Sequence, residues 1–112
     1  MCTKSQLEAI EEEMVNYYRS VYGDSIDTII LYGSYARGDY SDDSDIDITA
    51  IVRGNRVELQ KKLKKMWDFP TEVRLAYDVI VSPTVIPYDE FEQYKEKLPY
   101  YRNIVKEGRK IG

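Results

Sequence analysis

Between residues 39 and 47 the sequence reads DYSDDSDID, five aspartates in nine positions. Carboxylates that close repel one another, so the folded chain must spread them into water or neutralise them with a cation. The flanking residues narrow the choice. Just upstream, IDTIILY (26–32) is short, β-branched and nearly all apolar, and it lies between Gly23 and Gly33. That pattern predicts a central strand buried on both faces. Just downstream, DIDITAIV (45–52) opens with strict alternation. Successive side chains of a strand point to opposite faces. Asp45 and Asp47 therefore share one face, and Ile46 and Ile48 share the other. DYSDDS (39–44) becomes a polar loop between two strands, and two carboxylates enter the second strand as a pair.

The rest reads as helices around a small sheet. Over 4–22, Leu7, Ile10, Met14, Tyr17, Tyr18 and Val21 recur at steps of three and four, with Glu8, Glu11, Glu12 and Arg19 facing away. Thr3 or Ser5 suits the N-cap, and Gly23 suits the stop. GSYARG (33–38) is a glycine-bounded turn leading to a short helix. RGN (53–55) turns into a second amphipathic helix, 56–67, with Leu59, Leu63, Met66 and Trp67 inward, and Pro70 ends that region. A third strand is expected over 73–82, with Asp78 in its middle, and Pro83 and Pro87 are expected to bracket a turn. Residues 88–112 read as two helical pieces split at Pro99, the second ending at Gly108. No repeat or linker is visible. The expectation is one α/β (α+β) domain over residues 1–112, a short mixed sheet flanked by helices.

Composition excludes several classes of function. The formal net charge of −4 argues against a dedicated nucleic-acid binder, which is usually basic. There is no histidine, which removes the commonest general base and His-based zinc sites. The single cysteine, Cys2, permits no disulfide within the chain, so a reducing, cytoplasmic location is expected. The opening MCTKSQLEAIEEEM lacks the apolar core of a secretory leader, and no apolar run approaches a membrane span. Catalysis must come from carboxylates, metal, hydroxyls, Lys or Arg.

Asp45 and Asp47 aim into one space. Asp78 stands among apolar residues, where a lone carboxylate is costly unless paired or bound to a cation. Arg74 shares its expected face but lies about 13 Å away along an extended strand. Asp78 is therefore expected to join Asp45 and Asp47 around a divalent ion, and hard oxygen ligands select Mg²⁺ or Mn²⁺ over zinc. Asp39, Asp42 and Asp43 read as solvated loop. A calcium loop of the EF-hand kind does not fit, because its glycine and distal glutamate are missing. Gly33 and Ser34 directly follow a strand. Glycine there lets a phosphate approach the backbone, N–H groups of the turn can receive it, and the Ser34 hydroxyl can add a hydrogen bond. The lysine of the GxxxxGK[ST] loop is absent, as is GxGxxG. A phosphate cradle beside a metal-binding carboxylate set equips a chain for phosphoryl or nucleotidyl transfer by two metal ions. A carboxylate could also act as base for the attacking hydroxyl.

GSYARGDYSDDSDIDI resembles the signature of the DNA polymerase beta-like nucleotidyltransferase superfamily, a Gly-Ser pair ten residues before an Asp-x-Asp. The resemblance implies that Asp45, Asp47 and Asp78 are the catalytic metal ligands. It implies that Gly33 and Ser34 contact the triphosphate of ATP. Arg37 matches a frequent ARG element and either contacts phosphate or braces the loop. The whole chain, including NIVKEGRKIG at 103–112, is similar to the minimal nucleotidyltransferases, which lack a second substrate-gripping domain. The resemblance then implies an antitoxin that moves AMP from ATP to a tyrosine of a helical HEPN-type toxin, with Mg²⁺, two ions by family pattern. Two other readings stay open: a non-catalytic module neutralising that partner by contact, and transfer to a small molecule such as an aminoglycoside. Assembly into an oligomer is left open as well.

Two other features have plainer readings. Lys61, Lys62, Lys64 and Lys65 lie on the polar side of a helix and read as a solvated face. Tyr17, Tyr18, Tyr32 and Tyr77 read as core or near-core. Tyr88, Tyr94, Tyr100 and Tyr101 either pack on the sheet or form a partner surface.

Overall fold

The computed structural model describes residues 3–41, 44–66 and 79–112. Helix α1 spans Lys4–Tyr22, capped by Thr3, whose hydroxyl accepts from the Gln6 N–H while the Gln6 side chain returns to the Thr3 N–H. A 3₁₀ turn, Gly23–Ser25, leads to strand β1, Ile26–Tyr32. Helix α2 is a single turn, Ser34–Arg37. Strand β2, Ile46–Val52, is followed by helix α3, Arg56–Leu63, which tightens into a 3₁₀ turn over Lys64–Met66. Strand β3 runs Val81–Pro87, then helices α4, Tyr88–Tyr94, and α5, Pro99–Glu107, and the two-residue strand β4, Arg109–Lys110.

The four strands form one mixed sheet in the order β3-β2-β1-β4. β1 is antiparallel to β2 and to β4, and β2 is parallel to β3. A parallel pair needs a crossover connection, and α3 lies within it. The sheet is covered on both faces. On the first, Ile10, Met14 and Tyr18 of α1 and Leu59 and Leu63 of α3 pack on Ile29, Leu31, Ile46 and Ile48. On the second, Phe91 of α4 and Tyr101 and Ile104 of α5 pack on Ile30, Ile51 and Ile86. β1 is thus the doubly buried central strand its composition predicts. Gly108 ends α5 where only hydrogen fits, since a Cβ would stand 2.3 Å from the Ile104 carbonyl oxygen and 2.5 Å from Ile30 Cγ2. Among the described residues no helix is long and apolar enough to cross a membrane.

Four local expectations are corrected. Strand β3 runs Val81–Pro87, so of the strand expected over 73–82 only its last two residues fall in it and described residues 79 and 80 do not, and Pro83 and Pro87 lie inside it rather than around a turn. Proline lacks the N–H for a ladder and is tolerated on an edge strand, and β3 is the terminal strand of this sheet. Residues 73–78, with Asp78 and Tyr77, lie outside the described residues, as do Trp67 and Pro70. The helix expected over 56–67 closes at Leu63. Glu11, expected to face away, is buried and ion-paired with Arg109 of β4, a strand too short to leave a sequence pattern.

Candidate active site

The antiparallel pairing of β1 with β2 puts Tyr32 opposite Asp47. Gly33 follows Tyr32, so the turn after β1 and the acidic start of β2 meet. Gly33 has φ +76°, and a Cβ on it would stand 2.5 Å from Asp47 Oδ2. The Asp47 carboxylate therefore rests against Gly33, and both the backbone angle and the contact require glycine there. The Gly33 carbonyl accepts from the N–H groups of Ala36 and Arg37, each at 3.1 Å. Ser34 is the first helical residue, and an N–H at that position has no acceptor within its own helix.

Asp45 is exposed just ahead of β2, and Asp47 is half-buried within it. Between and after them Ile46 and Ile48 are fully buried on the opposite face. The parity read from the sequence is the parity of the strand. Burial first, and then the neighbouring Asp45 carboxylate, raise the Asp47 pKa above the ordinary carboxylate value, and the Arg37 charge partly offsets them. Neither aspartate makes a hydrogen bond or ion pair with another described residue. Two hard oxygen donors that repel each other and have no partner among the described residues suit a divalent cation. They are only two, however. Among the described residues no three His, Cys, Asp or Glu side chains converge as a metal site. Asp78, the expected third ligand, is outside the described residues. Beside this site the Ile80 carbonyl accepts from the Ile46 N–H at 2.8 Å, which brings the chain just before β3 alongside the two aspartates.

Arg37 is held by two carboxylates. Its Nε donates to Asp39 at 3.1 Å and its Nη1 to Glu107 at 3.0 Å. Nη2 has no ion-pair partner among the described residues. The brace half of the Arg37 reading is thus visible, and its charge also reaches Asp47. Glu107, the last residue of α5, was not singled out in the sequence. A contact across 70 residues leaves no local signal. Tyr32 was singled out only as near-core. Its hydroxyl lies 2.8 Å from that of Tyr100, with the rings edge to face. Burial and the Tyr100 bond raise its pKa well above that of a free phenol. Lys61, Lys62, Lys64 and Lys65 are all exposed.

With this geometry in view, comparison with known proteins is informative. Residues 8–111 match the family model described as Nucleotidyltransferase domain. A provisionally named protein adenylyltransferase of Methanocaldococcus jannaschii is 37% identical over 98 residues, which is 88% of this chain and 90% of that protein. A toxin–antitoxin crystal structure with AMP-PNP aligns at TM-score 0.57 and 18% identity, covering 91% of this chain and 72% of that one. A complex of tri-AMPylated Shewanella oneidensis HEPN toxin with MNT antitoxin aligns at TM-score 0.52 and 16% identity, covering 94% of this chain and 71% of that one. The two solved structures share the fold.

Proposed function

The chain belongs to the nucleotidyltransferase domain family, and on that premise we propose that it transfers AMP from ATP to a hydroxyl of a helical HEPN-type partner protein, as an antitoxin. The observation that carries this reading is the Asp47 carboxylate lying against Gly33 beside Asp45, with Ser34 opening α2 at the same point. The name of the Methanocaldococcus jannaschii relative and the AMPylated toxin in the Shewanella complex support a protein acceptor.

In this reading Asp45 and Asp47 hold Mg²⁺, or Mn²⁺ in its place, and Asp78 completes the set, giving room for two ions. The backbone pairing of Ile80 with Ile46 supports Asp78 as the third ligand. The bound ions would neutralise the triphosphate and favour ionisation of the attacking hydroxyl. Gly33 lets the triphosphate approach the chain, and the Ser34 hydroxyl and N–H donate to it. Arg37 contributes Nη2 to a phosphate oxygen while Asp39 and Glu107 fix its plane. Residues 1–112 act as one domain. With only one cysteine and no internal disulfide to form, the cytoplasm is the compartment that suits it.

The test is purified chain with Mg²⁺ and α-labelled ATP, together with the protein encoded by the adjacent gene. Label is expected on the partner and lost in Asp45→Asn/Asp47→Asn. Unlabelled partner that binds both forms equally would refute transfer and leave neutralisation by contact.

A further inference from the structure

Resting on that reading, we propose that the chain also adenylylates itself, on Tyr100. The side chains of Asp47 and Ile51 are on the same face of β2, two strand periods apart, and α5 covers that face through Tyr101 and Ile104. Tyr100 is the second residue of α5, so the helix presents it on the catalytic face. Its hydroxyl meets that of Tyr32 at 2.8 Å, and Tyr32 is the cross-strand partner of Asp47. One side chain therefore separates Tyr100 from the catalytic strand.

Five other tyrosines fit the role less well. Tyr18, Tyr22, Tyr35 and Tyr101 are buried. Tyr32 is mostly buried and held protonated by burial and by its bond to Tyr100. Tyr100 is 48% exposed. It follows Leu98, itself 43% exposed, and Pro99, at the open end of a helix whose first residues have no side-chain cap. To turn toward a nucleotide seated at Gly33, this phenol gives up its hydrogen bond and edge contact with Tyr32, with no side-chain cap of the helix to break.

The step is the proposed reaction with a different acceptor. The Tyr100 phenolic oxygen bonds to the α-phosphorus of ATP. The bond from that phosphorus to the oxygen bridging to the β-phosphorus breaks, and pyrophosphate leaves. The phenolic proton passes to bulk water at the exposed side of the ring. The product is a tyrosyl phosphodiester of AMP standing over the site, where it blocks a second acceptor.

The experiment incubates the purified chain with Mg²⁺ and α-labelled ATP, first alone and then with the adjacent-gene protein, and maps adducts by tandem mass spectrometry. The expected result without partner is one AMP on Tyr100, absent from Asp45→Asn/Asp47→Asn. Tyr100→Phe should lose self-label to background yet still label the partner. The labelled fraction at fixed time should not change across a dilution series. An adduct mapped to another residue, or a labelled fraction that rises with chain concentration, overturns the proposal. Labelled partner with an unlabelled chain overturns it while the proposed function stands. Absence of label from both proteins defeats the two together. Mapping on the unmodified sequence keeps the test valid even if a variant misfolds.

Discussion

Asp47 carries an electrostatic cost in the resting protein. Burial and Asp45 raise its pKa, so the native state holds this proton more tightly than the unfolded chain does. The group favours the fold while protonated, below the ordinary carboxylate pKa. That contribution is lost as pH rises through the raised native value. Asp47→Asn removes the ionisation. The variant should melt at a higher temperature than the parent at pH 7 without metal, and the gap should close as pH falls below about 3.9. Its transfer rate should drop by a factor on the order of 10²–10³, as when a group stabilising transition-state charge is removed. Melting curves across pH, beside label transfer, check both. At this scale much was legible. Strand parity alone pairs Asp45 with Asp47, and the Gly-Ser pair marks the turn after β1. Glu107 and Tyr100 were not legible as neighbours of the site. Each reaches it through a contact about 70 residues away in sequence, which no local pattern encodes.

At the scale of elements, one side chain ties α1 to two strands. The Tyr18 hydroxyl donates to the Thr84 carbonyl at 2.7 Å and accepts from the Thr84 N–H at 3.1 Å, with the Ile48 carbonyl at 3.3 Å. The ring is fully buried against the first face of the sheet. Tyr18→Phe keeps the ring but leaves the Thr84 backbone groups unpaired. It should destabilise the fold by about 1–3 kcal/mol, read from urea denaturation. The effect should concentrate in β3, visible as faster hydrogen exchange at Thr84. α1, β1 and β2 were readable because their periodicity and glycine boundaries agree. β3 was not, because its two prolines argue against a strand unless its position at the sheet edge is known, and that position is tertiary information. β4 owes its existence to β1, not to its own two residues.

Across the whole molecule, two apolar layers sandwich the sheet, and the last residues fasten it. Ile111 donates to the Ile29 carbonyl at 2.8 Å, and Ile29 donates to Gly112 at 2.9 Å. Arg109 pairs with the buried Glu11. Deleting residues 109–112 removes these bonds and leaves Glu11 buried without its cation. At about 1 kcal/mol per backbone hydrogen bond, the loss should exceed roughly 2 kcal/mol. The bared edge of β1 should also promote association between copies, so calorimetry and light scattering would both change. The same fastening determines where the protein can be handled. Gly112 lies against the side-chain ends of Val15 and Ile29, which a Cβ there would crowd at 2.9–3.2 Å. A purification tag or fluorescent fusion joined after it adjoins the residues that bond to Ile29 of β1. A tag joined at the other end should leave those bonds in place, and the fusion there should melt at the higher temperature of the two.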